Sequence, residues 1–285
     1  MPSSSELEFL LPDLRFVPIE SLVPHERHDP QRMLPLARRI REQAVIRNPP
    51  VVAALSAEGA ERRYVVLDGA NRVAAARADG LPHMVVQVVR YEPPFVELRT
   101  WYHALGEIGR AQFEAATRGV PGLECRSEGA LHARALLARR EALAFVAYAD
   151  GGTDTLCGGA DIFARNELLN AVVDTYRDRQ RYFRVPSDDF SEANQRHRGI
   201  TALVVYPQFV PAEVVELATT GARLPAGITR HLIRGRALRL DVPLERLASQ
   251  DSLAEKNRWL ADWLAEKAAN RRVRFYEEPT VSFDE

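Results

Sequence analysis

Three short segments of this 285-residue chain carry side chains able to do chemistry together. The first is Leu67-Asp68-Gly69-Ala70-Asn71-Arg72. An apolar run, Tyr64 to Leu67, leads into it, and an Ala-rich helical pattern, Asn71 to Asp79, leads out. The first amides of a helix lack internal partners and carry the positive end of its dipole, so such a turn suits a phosphate. Gly69 lets the backbone come close to a ligand. Arg72 adds a planar charged fork for phosphate oxygens. Asp68 puts a carboxylate beside them, able to hold Mg²⁺ or to orient a water. The plainer reading of the same residues is a helix cap by Asp68 with Gly69 in the turn.

The second segment is His25-Glu26, after Pro24 in an expected loop. A carboxylate near a bound phosphate can take the proton of an attacking hydroxyl. Its plainer reading is a solvated loop glutamate beside Arg27, His28 and Asp29. The third is Gly227-Ile228-Thr229-Arg230-His231, which joins a hydroxyl, a guanidinium and an imidazole, all able to donate to an anion. With the Pro211 to Gly221 helix it also offers a weak helix-turn-helix reading, in which Arg230, Arg234, Arg236 and Arg239 supply charge for DNA. Leu224-Pro225-Ala226-Gly227 makes that connection long and helix-breaking. Trp101 reads as a core residue on a helix or as the wall of a pocket. Asn194 and His197 fall in a polar loop, and His103, His132 and His197 show no metal-ligand spacing. No G-x-x-x-x-G-K, G-x-G-x-x-G or C-x-x-C occurs, which argues against an ordinary P-loop or dinucleotide enzyme.

The elements that must position these residues alternate along the chain. Phe16 to Ile19 reads as a strand, Ser21 to Pro24 as a turn, and Met33, Leu36, Ala37 and Ile40 as one face of a helix. Val51 to Leu55 and Tyr64 to Leu67 are strands around a polar turn at Ser56 to Glu61, and Met84 to Tyr91 is a third. Glu92-Pro93-Pro94 marks a linker, dividing the chain into 1–92 and 93–285. Beyond it the spacing predicts helices over Val96 to Leu105, Gln112 to Thr117, Ser127 to Arg140, Ala160 to Tyr182, Pro211 to Thr219 and Ser252 to Ala269. Ala142 to Ala149 and Thr155 to Cys157 form an expected hairpin around Asp150-Gly151-Gly152. Thr201 to Tyr206 and Arg272 to Tyr276 are expected strands. The class is mixed α/β in two domains.

Hydrophobic residues are 46% and charged residues 27%, which excludes a disordered chain. A net charge of −1 counts against a general nucleic-acid binder. Cys125 and Cys157 make no disulfide framework and fit a reducing, cytoplasmic setting. No apolar run is long enough to span a bilayer, and Met1 to Leu11 lacks the features of a signal peptide.

Taken in order, these segments resemble a known family. Val17 to Glu26, the helix ending near Gln43, Pro49-Pro50-Val51-Val52 and Leu67 to Arg72 follow the order of the ParB/sulfiredoxin nucleotide-binding fold. Within it the chain resembles the free serine kinases. Gly227 to Leu238, Val273 to Thr280 and Phe283-Asp284-Glu285 extend the likeness to the C-terminal part.

The resemblance implies a kinase that transfers a phosphoryl group from ATP or ADP to free L-serine, with Mg²⁺. It implies a nucleotide-binding domain over 1–92 and a second mixed α/β domain over 93–285 that completes the substrate cleft. Glu26 falls on the family's catalytic glutamate, and Asp68, Gly69 and Arg72 on its D-G-H-x-R signature. Ala70 and Asn71 complete the phosphate turn. Thr229, Arg230 and His231 fall on the segment that grips the phosphate of phosphoserine, and Trp101 near an aromatic of the amino-acid pocket. The departure is Ala70-Asn71, where the family usually has histidine first, so the turn has one donor fewer. A sulfiredoxin needs a reactive cysteine where Ala70 stands. The alternative is a ParB-like, nucleotide-dependent DNA-binding regulator, which has no need of a base at Glu26. Acceptor, donor nucleotide and oligomeric state are open at this level.

Overall fold

A computed structural model describes residues 11–28, 30–55, 62–178 and 181–275. The expected polar turn at Ser56 to Glu61 lies outside them, as do most of the N-terminal segment and the family-like tail from Tyr276 onward.

The chain opens with β1 (Asp13–Pro18), a single 3₁₀ turn (Ile19–Ser21) and β2 (Leu22–Pro24). Then come α1 (Pro30–Gln43), β3 (Val45–Ile46), β4 (Val51–Ala54), β5 (Tyr64–Asp68), α2 (Ala70–Ala78) and β6 (His83–Val88). One five-stranded sheet runs in the order β1-β6-β4-β5-β2. β6 pairs antiparallel with β1 and parallel with β4, which pairs antiparallel with β5. Met84, Val85 and Val86 of β6 are fully buried. Such a run, apolar on both faces, is what a strand inside a covered sheet needs. The expected turn at Ser21 to Pro24 is instead the 3₁₀ turn and β2. Leu22 and Val23 are both buried, within a strand at the sheet edge.

Past the Pro93-Pro94 pair the chain forms β7 (Val96–Thr100), β8 (Tyr102–Gly106), α3 (Arg110–Arg118), β9 (Glu124–Ser127) and α4 (Ala130–Ala138). The hairpin β10 (Ala144–Tyr148) and β11 (Thr153–Cys157) follows, then α5 (Ile162–Asp174) and β12 (Tyr182–Val185). Next are α6 (Phe190–Arg196), β13 (Ile200–Val205), α7 (Pro211–Thr220) and β14 (Thr229–Ile233). A six-stranded sheet runs β12-β8-β13-β10-β11-β9, and β14 pairs with β7 in a separate two-stranded ribbon.

The expected helix over Val96 to Leu105 is two strands. Val96, Leu98 and Thr100 are buried while Glu97 and Arg99 are exposed, a period of two. The pair Val96 and Thr100 also matches helical spacing, which hid the alternation. The long helix expected over Ala160 to Tyr182 stops at Asp174, and Tyr182 starts β12.

The last elements are β15 (Val242–Pro243), paired with β3, then α8 (Leu244–Ala248) and α9 (Leu253–Ala269). Ser252 and Glu255 form a capping box at the start of α9. Arg272 to Phe275 forms no strand.

The contacts divide the chain into two compact units. The first comprises Met1–Leu22, Pro30–Arg90 and Ile233–Glu285, the second Val23–Asp29 and Tyr91–Leu232. One crossing falls beside the expected linker, but the C-terminal segment groups with the N-terminal sheet. The reason is β1, an edge strand with backbone groups to satisfy. Asn257 of α9 accepts the Phe16 N–H at 2.8 Å and donates to the Phe16 carbonyl at 3.1 Å. Trp259 then packs 6.4 Å from the Phe16 ring and stacks on Trp263. Each unit has its own apolar core. Among the described residues no helix is long and apolar enough to cross a membrane.

Candidate active site

In the first unit, β5 delivers Asp68 and α2 begins two residues later. Gly69 is the N-cap, at φ +91° in the left-handed region, and no side chain caps the helix. An added Cβ there would stand 3.0 Å from Pro50 Cβ and 2.8 Å from the Arg72 guanidinium, so the turn requires glycine. Asp68 does not act as the cap. Its Oδ2 accepts from Arg72 at 2.6 Å and also from Arg236. The structure therefore gathers Asp68, Gly69, Ala70, Asn71 and Arg72 at one helix start. It adds Arg236, which the sequence offered only as charge for a DNA reading.

The second unit builds the surroundings of Glu26. Residues 25–27 run parallel to Leu224: the Arg27 N–H donates to the Leu224 carbonyl at 2.9 Å, and the Leu224 N–H to the His25 carbonyl at 2.8 Å. The chain then wraps the carboxylate. Oε2 accepts the Gly227 N–H at 2.8 Å, and Oε1 accepts the Thr229 N–H at 2.8 Å and the Thr229 hydroxyl at 2.5 Å. Glu26 is thus no solvated loop residue, its side chain being only 14% exposed.

The Thr229 hydroxyl has one proton, and a carboxylate can only accept it. His25 Nε2, 2.8 Å from that hydroxyl, is therefore the donor, which fixes a directed chain His25 to Thr229 to Glu26. The His25 ring meets His231 edge-on at 5.1 Å. His231 Nε2 stands 2.7 Å from the Tyr91 hydroxyl. Burial, helped by the charge of Glu26, raises the Tyr91 pKa, so the phenol keeps its proton.

Thr229, Arg230 and His231 differ in surroundings. Both donors of Thr229 go to Glu26, so it braces the carboxylate rather than presenting its hydroxyl to an anion. The Arg230 guanidinium lies 4.4 Å from the centroid of Trp101, a cation–π contact. Trp101 sits at the junction of β7 and β8, not on a helix, and donates its backbone N–H to the Ile228 carbonyl. The helix-turn-helix reading fails on the same ground: Thr229 to Ile233 is a strand, so no recognition helix follows α7.

Sequence reasoning missed what holds Gly227. Its φ is +77°, and an added Cβ would collide with the Arg184 guanidinium. Its carbonyl accepts from Nε2 of His103 at 3.2 Å. His103 is fully buried, and Nδ1 faces the hydroxyls of Tyr176 at 2.8 Å and Tyr206 at 3.0 Å. Burial lowers the His103 pKa to about 3, so the ring is neutral. A lone histidine and two distant tyrosines gave no spacing signal.

Other candidates lie apart from this cluster. Asn194 accepts the Gly199 N–H, His197 stacks on Phe183, and His132 pairs with Glu128. Cys125 and Cys157 are free thiols. Among the described residues no group of three or more His, Cys, Asp or Glu is placed to hold a metal ion.

Comparison with known proteins adds what the chain is similar to. The ATP-dependent L-serine kinase SbnI of Staphylococcus aureus is 26% identical over 260 residues, 91% of this chain and 93% of that protein. The ATP-dependent L-serine kinase of Staphylothermus marinus is 30% identical over 113 residues, 39% of this chain and 44% of that protein. The relatives of this chain are serine kinases. Solved structures agree on the fold. A free serine kinase in complex with AMP superposes with a TM-score of 0.71 at 18% identity, covering 83% of this chain and 94% of that one. C-terminally truncated SbnI from Staphylococcus aureus gives 0.70 at 24% identity, covering 90% and 97%. The serine-kinase likeness thus runs through both units and matches the mixed α/β class expected from the sequence. No family model matches the chain.

Proposed function

We propose that this protein transfers a phosphoryl group from a nucleotide, ATP or ADP, to the hydroxyl of free L-serine, giving O-phosphoserine. The observation that carries the reading is the likeness to an L-serine kinase along 91% of the chain. The reading assigns the nucleotide phosphates to the Gly69–Arg72 turn of the first unit and serine to the Glu26 cluster of the second.

Glu26 is the base. Its Oε1 already accepts two hydrogen bonds, whereas Oε2 accepts one, so Oε2 keeps a lone pair for the serine proton. His25 and Thr229 hold the carboxylate in place. Arg230, steadied on Trp101, and His231, steadied by Tyr91, face the charge of the phosphoryl group, and Trp101 walls the amino acid. Ala70 and Asn71 contribute the first-turn backbone of the phosphate site, and Arg72 its guanidinium. Catalysis is then mainly positioning and charge neutralisation.

Mg²⁺ fits this donor set in one manner. Asp68 offers a hard carboxylate oxygen but no cage, so the ion would be held by Asp68 and the nucleotide's own phosphates, the usual arrangement for this metal. Bound there, it would offset phosphate charge. The free thiols suit a cytoplasmic setting, which belongs to the same proposal.

The test is incubation of the protein with L-serine and either ATP or ADP, with product read by mass spectrometry. O-phosphoserine formed with one of them supports the reading. Nucleotide binding without phosphorylation of serine or of any other free amino acid would sink it.

A further inference from the structure

We propose that Arg236 is a second phosphate-gripping guanidinium of the nucleotide turn, and that Asp68 is the internal anion that phosphate oxygens displace from it. The inference rests on the nucleotide reading of that turn. Asp68, Arg72, Gln87 and Arg236 all belong to the first unit.

Two guanidiniums converge on one carboxylate oxygen, Asp68 Oδ2. Both guanidinium charges thus share one carboxylate at the start of α2, where the helix dipole is also positive. A fold seeking stability alone gains little from this. The Arg236 and Asp68 side chains are 34% and 36% exposed, and ion pairs at such sites contribute little. Bringing like charges together is useful where a multiply charged anion is to be received.

The placement of Arg236 is also built rather than incidental. Gln87 of β6 is 3% exposed, and a buried amide is costly unless bonded. Its Nε2 donates to the Gly235 carbonyl at 3.0 Å, and its Oε1 accepts the Ala237 N–H at 2.8 Å. The two residues that flank Arg236 are thus tied to the sheet by one buried side chain. Gly235, at φ +64°, makes the turn that sends Arg236 back toward Asp68.

A phosphate chain recruits both guanidiniums by replacing one carboxylate oxygen with several phosphate oxygens. Asp68 therefore competes with phosphate when no metal is present, and removing its charge should help an anion bind. A scaffolding role for the ion pairs predicts the opposite.

The experiment measures ADP affinity by calorimetry, with EDTA present, for wild type, Arg236→Ala, Arg236→Lys and Asp68→Asn. Thermal melts check that each variant folds. Arg236→Ala should weaken ADP by roughly 10- to 100-fold, the span for losing a charged hydrogen-bond partner. Arg236→Lys, which keeps the charge and loses the fork, should fall between. Asp68→Asn should bind metal-free ADP more tightly than wild type. Wild-type ADP affinity in Arg236→Ala, or weaker metal-free binding in a folded Asp68→Asn, overturns the proposal. If that happens while the wild type binds ADP and phosphorylates serine, only the role of Arg236 falls. If the wild type binds no nucleotide, the reading of the turn falls and this proposal with it.

Discussion

Glu26→Gln keeps the length of the side chain and removes its charge, which makes the consequence calculable. The carboxylate accepts three hydrogen bonds, one on Oε2 from Gly227 and two on Oε1 from Thr229. The amide will turn its oxygen to Thr229, where it keeps two, and its NH₂ will then meet the Gly227 N–H, donor against donor. Losing one charge-assisted bond costs about 1.5–3 kcal/mol. Over 285 residues, at about 2.1 cal/mol/K of unfolding entropy each, that is a fall of about 2.5–5 °C in melting temperature. Loss of the base should cut turnover by roughly 10²–10⁴-fold, with nucleotide affinity little changed. The assay is O-phosphoserine formed per minute, at a temperature below both melting points. A folded Glu26→Gln with turnover within about threefold of wild type, a span far below that of general-base loss, removes Glu26 from the chemistry.

Gly227→Ala forces a side chain into the left-handed region and against Arg184, so it should lower turnover and cost about 1–3 kcal/mol in a denaturant titration. His103 carries a pH signature. Its folded pKa of about 3 lies below the ordinary value, so its stability contribution is whole above about pH 6.5. That contribution is lost as pH falls toward 3, by up to about 1.4 kcal/mol per pH unit, and His103→Gln should flatten this slope in melts between pH 7.5 and 5. His231→Ala should impair the use of serine in steady-state kinetics and leave nucleotide affinity nearly intact. Duplex DNA should bind weakly and without sequence preference at physiological salt, as a gel-shift titration across ionic strength would show.

The sequence made the Asp68–Arg72 turn legible because its signals are local. A strand of β-formers, one glycine and an Ala-rich helix occupy sixteen consecutive positions, Tyr64 to Asp79, and each speaks through its own backbone preference. The Asp150-Gly151-Gly152 hairpin was legible for the same reason. Val96 to Leu105 is ambiguous in the sequence because four-residue spacing and alternation overlap in so short a run. Other parts depend on contacts between distant positions. Glu26 meets Gly227 and Thr229 across about two hundred residues, and His103 meets Tyr176 and Tyr206 across seventy or more. Nothing local marks such pairs. Arg236 was visible only as one arginine among several, since what distinguishes it is the buried Gln87 that fixes its neighbours.

The seven residues Val23–Asp29 leave the first unit, build with the second, and return. They bring Glu26 and the strand-like partner of Leu224. A fragment made of residues 91–232 would hold the loop at Gly227 and Thr229 without the carboxylate that satisfies it. A fragment ending at Arg90 would carry Glu26 with none of its donors, and would lack α9 along β1. Neither half can be cut out as one contiguous stretch, so recombination that shuffles domains at a single breakpoint would destroy both. An exchange of the second unit between relatives has to carry Val23–Asp29 together with Tyr91–Leu232.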